Sequence, residues 1–304
     1  MNEFGPYLPL KRSHTTEYII RGVPYCVRTW GSPDATPLIF LHGIRDASIT
    51  FQFVVDALQN EWFIIAPDWR GHGGSGLTAY QPWFHDYLAD LDALLDTVLP
   101  DQAVRLVGHS LGGNVASVYA GIFPPRVSHL VSIDAFALPR PARGEIATRL
   151  HDWLQVSRSP PPSRRYRSID EMARRLQLAN ARLPLDKALF LAASSSREVP
   201  GGFSWLSNEL EPRSMPTLRA LDDWLACWKG ITARKLWISA SDIRPKSMAS
   251  DPEGFAVVLN HIGRESVVQV PNTGHNIHHD APKQLAHLIE SFMTATSTPK
   301  RPIQ

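Results

Sequence analysis

The stretch Leu106-Val107-Gly108-His109-Ser110-Leu111-Gly112-Gly113 decides the fold. It places the pattern G-x-S-x-G at the end of a mostly apolar run that begins at Val104, and residues 114–122 after it have helical character. Strand, sharp turn and helix form the context of a nucleophile elbow, which exposes the serine hydroxyl at the tip of the turn. Glycines two positions before and after the serine let the backbone turn without Cβ clashes. The helix that follows favours negative charge developing near its N-terminus.

Length and composition indicate an ordinary globular protein. The chain has 304 residues, enough for one large α/β domain or for a core with an insertion. It is 43% hydrophobic and 20% charged, and its net charge of +2 gives no electrostatic indication of a nucleic-acid partner. No apolar run approaches the ~18 residues of a membrane-spanning helix.

The chain's N-terminus and its cysteines predict a cytoplasmic location. The segment from Met1 to Leu10 lacks the positive region and apolar core of a secretory signal. Cys26 lies in a predicted strand and Cys227 in a predicted helix, and they are the only cysteines. This pair does not indicate a disulfide framework, which agrees with a reducing compartment.

Alternating strand and helix patterns predict the fold class. Short apolar or alternating runs predict strands at 17–20, 25–30, 38–41, 62–66, 104–107, 130–133, 235–238 and 267–270. Helical spacing predicts helices at 51–60, 83–98, 114–122 and 282–294. Such alternation implies right-handed crossovers. We therefore predict an α/β fold with a mostly parallel central sheet and helices on both faces.

The alternation stops for about ninety residues after residue 138. The patterns there are mostly helical, at 145–156, 169–182, 185–193 and 217–229, with a basic, proline-rich loop at 157–167. A helical insertion between two α/β halves is most simply a cap. We therefore expect an α/β core formed by residues 1–138 and 231–304, with a helical cap domain at 139–230.

Four elements that carry chemistry follow predicted strands in a fixed order. They are His42-Gly43, Asp68-Trp-Arg-Gly-His-Gly-Gly-Ser75, the turn at Ser110, and Gly274-His275. With these four in order, residues 16–295 resemble an α/β-hydrolase, and the cap is matched in position and helicity. The resemblance implies a serine hydrolase of the esterase and lipase type, with no cofactor and no metal.

The resemblance also implies a catalytic triad. Ser110 is the expected nucleophile, and His275 after the last strand is the expected base that activates it. Two residues are candidates for the acid. Asp242 follows the strand at 235–238, the usual location in the family, but its turn lacks the family's common glycine. Asp134 ends the strand at 130–133, where certain haloalkane dehalogenases carry their acid, and we favour it.

The remaining residues of the motifs are assigned supporting roles. By resemblance, the oxyanion hole consists of the backbone N–H groups of Ile44 and Leu111. His42 and His109 are expected to be structural. The segment Asp68-x-Arg70-Gly71 is expected to form an ion-paired or hydrogen-bonded turn.

A cluster of histidines near the C-terminus raises the question of a metal. His275, His278 and His279 are close in sequence, but no partner ligands are evident elsewhere in the chain. The hydrolase interpretation accounts for His275 without a metal. His278 and His279 compete with His275 for the role of base, and the Gly-His pair after a strand favours His275.

The leading hypothesis is hydrolysis of an ester, thioester or lactone of a small molecule with an apolar acyl part. Apolar side chains of the cap are candidates for the acyl pocket, although packing of the cap on the core is the commoner fate of such residues. They are Trp153, Leu154, Phe190, Phe203, Trp205, Leu206, Trp224 and Trp228. Arginines of the cap are most simply a solvated face, with an anionic substrate or partner as the alternative. They are Arg158, Arg164, Arg165, Arg167, Arg174 and Arg175.

Two other functions stay open at this point. One is hydrolysis of a carbon–carbon bond in a β-diketone-like substrate, by an enzyme with the same triad and a helical cap. The other is ligand binding without turnover on a hydrolase scaffold. Dehalogenase and epoxide hydrolase chemistry is disfavoured, because those relatives carry an aspartate where this chain has Ser110.

Overall fold

Ten strands and ten α-helices make up the described part of the chain. The computed structural model describes residues 5–76, 82–137, 145–159, 164–206, 221–241 and 251–295. The strands are β1 (His14–Ile20), β2 (Val23–Trp30), β3 (Thr36–Leu41), β4 (Trp62–Pro67), β5 (Val104–His109), β6 (Val127–Ile133), β7 (Ser196–Val199), β8 (Gly202–Trp205), β9 (Arg234–Ser239) and β10 (Val267–Gln269). The helices are α1 (Gln52–Ala57), α2 (Phe84–Val98), α3 (Leu111–Ile122), α4 (Glu145–Arg158), α5 (Ile169–Ala179), α6 (Leu185–Ser194), α7 (Leu221–Trp228), α8 (Pro252–Ile262), α9 (Ile277–Asp280) and α10 (Pro282–Thr294).

Eight of the strands form one sheet in the order β1-β2-β4-β3-β5-β6-β9-β10. The β1–β2 and β2–β4 pairs are antiparallel, and every other pair in this sheet is parallel. Parallel strands that are short and apolar need cover on both faces, as the sequence predicts. The prediction of a mostly parallel α/β fold is confirmed.

Two apolar cores lie on the two faces of this sheet. In β3, Ile39 and Leu41 belong to one buried cluster, whereas Leu38 and Phe40 belong to the other. Successive side chains of a strand point to opposite faces, so this alternation assigns one cluster to each face. The first cluster includes side chains of α2, α3, α7 and α8, and the second those of α1 and α10. Packing on both faces holds the sheet in place, and the sheet positions the loops at its edges.

Helix α8 is present although the sequence analysis passed over it. Its apolar positions Phe255, Val258, Leu259 and Ile262 are buried and follow helical spacing. The side chain of Asp251 caps its N-terminus by accepting a hydrogen bond of 2.8 Å from the Gly254 N–H. Both signals are in the sequence, so this helix was predictable.

Helices predominate between β6 and β9, as predicted, but the segment also contains a hairpin that was not predicted. Strands β7 and β8 pair antiparallel around a turn in which Gly201 and Gly202 have φ angles of +84° and +144°. Side chains of α5 and α6 pack with the hairpin around Phe53 of α1. The predicted helix at 217–229 is described from Leu221 onward, because residues 207–220 lie outside the described ranges. Its α7 side chains Trp224 and Trp228 pack into the first core.

Glu290 of α10 fixes the beginning of β4. Its carboxylate accepts hydrogen bonds from the backbone N–H groups of Gln59 and Asn60, at 3.0 and 2.7 Å, and from the Trp62 indole at 3.0 Å. Burial opposes the charge of Glu290, but these donors outweigh burial and lower its pKa. The ionised form is therefore stabilised by folding.

Replacing Glu290 by glutamine should lower the free energy of unfolding at pH 7 by about 1–3 kcal/mol, because two backbone N–H groups and the Trp62 indole then lose a charged acceptor. A carboxylate with a lowered folded-state pKa stabilises above its unfolded pKa of ~4.3, and this stabilisation is lost as pH falls through the folded pKa. Urea unfolding should therefore show a difference from the wild type that shrinks below about pH 4. The exposed neighbour Glu61→Gln is the control. A difference that is independent of pH would contradict the argument.

Candidate active site

Ser110 lies at the sharp turn between β5 and α3. Its φ and ψ angles are +52° and −114°, a strained conformation for a residue with a Cβ. The Ser110 N–H donates to the carbonyl of Ile133 over 3.0 Å, which ties the turn to the neighbouring strand β6. A Cβ on Gly112 would lie 2.1 Å from the Leu41 carbonyl oxygen, and one on Gly108 would lie 2.4 Å from backbone atoms of Gly112. Only glycine therefore fits at these two positions.

The structure brings Ser110, His275 and Asp134 together in a line. The Oγ of Ser110 is 3.1 Å from Nε2 of His275. The Nδ1 of His275 is 2.6 Å from Oδ2 of Asp134. An ionised carboxylate accepts only, so Nδ1 carries the proton and Nε2 of a neutral ring can accept one from Ser110. The Asp134 side chain is 3% exposed and that of His275 is 51% exposed, so the line runs from the interior to the surface.

Backbone contacts hold Asp134 at the end of β6. Its φ angle of +47° is a left-handed conformation, which aspartate tolerates better than most residues. Its backbone N–H donates to the carbonyl of Ile238 over 2.7 Å, and its Oδ1 accepts from the Ala240 N–H at 3.3 Å. The carboxylate is thereby oriented by the neighbouring strand β9. The alternative acid, Asp242, lies outside the described residues.

The loop that carries His275 is fixed by contacts on both sides of it. The N–H of Thr273 donates to Oγ of Ser241 over 2.7 Å, and the N–H of Gly274 donates to Oδ2 of Asp280 over 2.7 Å. The other carboxylate oxygen of Asp280 accepts a hydrogen bond of 2.7 Å from the side chain of Asn180, just after α5. The position of His275 is thus coupled to the helical segment between β6 and β9.

The loop after β3 lies directly against the elbow. A Cβ placed on Gly43 would be 3.3 Å from Cβ of Ser110. Leu111 directly follows Ser110, and Ile44 directly follows Gly43, so the N–H groups predicted to form the oxyanion hole belong to the two loops that meet here.

His42 has a structural environment, as its motif predicts. Its Nε2 accepts a hydrogen bond of 2.9 Å from the Trp69 N–H, so its Nδ1 carries the proton and donates to the Gly43 carbonyl over 2.7 Å. Burial lowers the pKa of His42 to about 3, which keeps the ring neutral. The ring therefore fixes the loop that precedes Ile44.

The segment Asp68–Gly71 is an ion-paired and hydrogen-bonded turn, as expected. Asp68 accepts from the backbone N–H groups of Ser48 and Gly74, at 2.6 and 2.8 Å. Arg70 forms a buried bidentate pair with Asp90 of α2. These contacts join the turn to its neighbours and do not reach Ser110.

Three further histidines lie beside the candidate triad. The ring of His109 is 4.7 Å from that of His275 and 4.4 Å from that of His278, centroid to centroid. The Nε2 of His109 is 2.9 Å from the His275 carbonyl oxygen, so it donates to that oxygen. Burial lowers the pKa of His109 well below its usual value and that of His278 to about 3. Both Nε2 atoms of His278 and His279 contact Oγ1 of Thr50.

A cavity of about 410 Å³ opens between the loop after β3 and the helical segment. Its floor includes Arg45 and Ala47, just after Ile44, and its far side includes Leu176, Leu191 and Trp205. Two of the arginines that the sequence analysis assigned to a solvated face, Arg164 and Arg175, also line it. The lining therefore mixes apolar side chains with basic and other polar groups, in a volume typical of small-molecule sites.

Comparisons with known proteins identify the family of this fold. The family model described as alpha/beta hydrolase fold matches residues 36–282. The chain belongs to the α/β-hydrolase fold family. This membership confirms the resemblance drawn from the four motifs and supports a hydrolase. No helix within the described ranges has the length and apolar character needed to span a bilayer.

Several individual proteins are similar to this chain. A serine hydrolase-like protein of Danio rerio is 25% identical over 283 residues, covering 89% of this chain and 85% of that protein. A 2-(acetamidomethylene)succinate hydrolase of Mesorhizobium japonicum is 27% identical over 261 residues, covering 85% of this chain and 88% of that protein. The solved thioesterase domain from the curacin biosynthetic pathway superposes with a TM-score of 0.80 at 25% identity, covering 92% of this chain and 99% of that one.

Proposed function

We propose that this protein is a serine hydrolase that cleaves an ester, thioester or lactone bond of a small molecule through an acyl-enzyme at Ser110. The proposal rests on two linked contacts. Oγ of Ser110 lies 3.1 Å from Nε2 of His275, and Nδ1 of His275 lies 2.6 Å from Oδ2 of Asp134. A serine hydroxyl is a weak nucleophile, and a neutral imidazole within hydrogen-bond reach is the group that activates it.

In the first half of the reaction, Oγ of Ser110 attacks the carbonyl carbon while its proton passes to Nε2 of His275. Asp134 stabilises the imidazolium that forms and keeps the proton on Nδ1. The N–H groups of Ile44 and Leu111 hold the negative oxygen of the tetrahedral intermediate, and each such donor contributes ~3 kcal/mol. Collapse of the intermediate breaks the bond to the leaving group, which takes the proton from Nε2.

In the second half, His275 takes a proton from water, and the resulting hydroxide attacks the acyl-enzyme. Ser110 leaves with the proton returned by Nε2, and the acid product is released. No step requires a cofactor or a metal. We also propose a cytoplasmic location, as predicted from the sequence; the mechanism does not depend on it.

We assign the acyl part of the substrate to the cavity beyond Ile44. The walls formed by Leu176, Leu191 and Trp205 support an apolar acyl chain. Residues 139–230 then act as a cap on a core of residues 1–138 and 231–304. The hydrogen bond between Asn180 and Asp280 supports a coupling of this cap to the His275 loop.

Covalent labelling tests the proposal most directly. The wild type, incubated with a fluorophosphonate, should gain the mass of one adduct, and Ser110→Ala should gain none. A panel of activated esters, thioesters and lactones should then give multiple turnovers. Trace turnover on this panel, and on β-diketones assayed beside it, would favour a ligand-binding protein on a hydrolase scaffold. Turnover of the β-diketones alone would favour a carbon–carbon bond hydrolase. An unlabelled wild type would contradict an activated Ser110.

A further inference from the structure

Three metal-ligating side chains from distant parts of the chain meet beside Ser110. Asp46 lies in the loop after β3, His109 ends β5, and His278 lies in α9. One potential ligand atom of each lies within 4.8 Å of those of the other two. The Nε2 of His278 is 3.8 Å from Oδ2 of Asp46, too far for a hydrogen bond. The possible partners of the C-terminal histidines are not evident in the sequence, because they come from other loops of the sheet.

We propose that Asp46, His109 and His278 bind one divalent transition-metal ion of the Zn²⁺ type. Imidazole nitrogens and carboxylate oxygens are among the ligands that this ion takes in proteins. Three protein ligands leave a fourth tetrahedral position for water. The carboxylate has a free atom for this role, because Oδ1 of Asp46 accepts from the Ala47 N–H at 2.9 Å while Oδ2 faces His278.

An unpaired ring nitrogen supports the site. The Nδ1 atom of His109 is buried and has no hydrogen-bond partner among the described residues. Nearly all buried polar atoms in native proteins are paired, so such atoms call for a ligand. Because Nε2 of His109 donates to the His275 carbonyl, Nδ1 of the neutral ring presents a lone pair. Metal-binding histidines commonly donate their second N–H to a backbone carbonyl in this way.

The distances allow coordination after a small closure. Two ligands of a tetrahedral zinc ion lie about 3.4 Å apart, since each is ~2.0–2.1 Å from the ion. The separation of 3.8 Å between Nε2 of His278 and Oδ2 of Asp46 is close to this value, and the limit of 4.8 Å requires a closure of roughly an ångström. Binding through Nε2 also replaces the contact of 2.9 Å between that atom and Oγ1 of Thr50. Asp46 also lines the cavity of about 410 Å³, which provides a path of entry.

Occupancy of the site should inhibit the enzyme, and this consequence rests on the proposed function. His109 directly precedes Ser110, and its ring holds the His275 carbonyl over 2.9 Å. A movement of His109 toward an ion therefore shifts both Ser110 and His275, and changes the distance between their reacting atoms. A shift of about an ångström in reacting groups costs on the order of 100-fold in rate.

Metal binding is tested on Ser110→Ala protein, so that activity is not needed. After EDTA treatment and desalting, calorimetric titration with ZnCl₂ should give one ion per chain, and Co²⁺ should give the visible spectrum of tetrahedral cobalt. Adding His278→Gln or Asp46→Asn should weaken zinc binding at least about tenfold. His279→Gln is the matched control, because this buried neighbour contacts the same Thr50 but is not one of the three ligands.

The site would be overturned if the folded protein did not bind zinc, or if His279→Gln weakened zinc binding as much as His278→Gln or Asp46→Asn does. Circular dichroism checks that each variant is folded. In the wild type, ester turnover should fall with ZnCl₂ and recover with EDTA, and His278→Gln should lose this sensitivity. Zinc binding without inhibition would overturn the coupling to Ser110 and His275. If the proposed function is wrong, the metal-free wild type shows no turnover, but the Ser110→Ala protein still binds zinc. Failure of the proposed function is thereby distinguished from failure of the metal site.

Discussion

Replacing Ser110 by alanine should reduce kcat for an activated ester by about 10⁴- to 10⁶-fold. The reason is that no other group stands within hydrogen-bond reach of His275 Nε2 in the described site to form the acyl-enzyme. Residual rate over water would come from the oxyanion donors and from substrate binding, as in other enzymes with this triad. Steady-state kinetics on the ester that the wild type cleaves fastest measures the effect.

Ser117→Ala is the matched control for this experiment. Ser117 lies in the same helix, α3, is fully buried, and its hydroxyl donates to the Asn114 carbonyl over 3.0 Å. Loss of that bond affects stability by about 1 kcal/mol and leaves the candidate site in place. A Ser110→Ala enzyme within tenfold of the wild type would refute the proposed nucleophile.

Replacing Asp134 by asparagine should lower kcat by about 10⁴-fold with little effect on folding. Asparagine tolerates the φ angle of +47° at this position, and its Oδ1 can still accept from the Ala240 N–H. Its NH₂ group then faces Nδ1 of His275, where the carboxylate oxygen stood at 2.6 Å. This donor stabilises the tautomer with the proton on Nε2, which cannot accept the proton of Ser110.

The comparison with Asp242→Asn separates the two candidate acids. We expect that variant to stay within about tenfold of the wild type, orders of magnitude above Asp134→Asn. The reverse order would assign the acid to Asp242. Full activity in both variants would mean that neither carboxylate orients His275.

The sequence does not distinguish between the two candidate acids. Asp134 follows β6 and Asp242 follows β9, and these two parallel strands are neighbours in the sheet. Parallel neighbours deliver the residues after their carboxyl ends to the same edge, so both carboxylates satisfy the pattern of strand followed by acid. The left-handed turn at Asp134 and its anchoring by Ala240 are features of the folded chain, and they support Asp134.

The elements that were missed have separate causes. Helix α8 carried a cap at Asp251 and apolar residues at helical spacing, so its signals were present. The β7–β8 hairpin, by contrast, has strands of four residues each, too short for an alternating pattern to emerge. Pairing of such strands depends on the packing of Tyr166 and Phe203 with the helices around Phe53.

By itself the sequence determined the α/β class, the elbow at Ser110 and the pairing of that serine with a histidine after the last strand. These follow from local signals, namely apolar periodicity and glycines where a Cβ would clash. Only the tertiary structure shows that Asp134 contacts His275, and that potential ligand atoms of Asp46, His109 and His278 lie within 4.8 Å of one another. Those contacts join residues more than sixty positions apart, and only the order of strands in the sheet brings their loops to one edge.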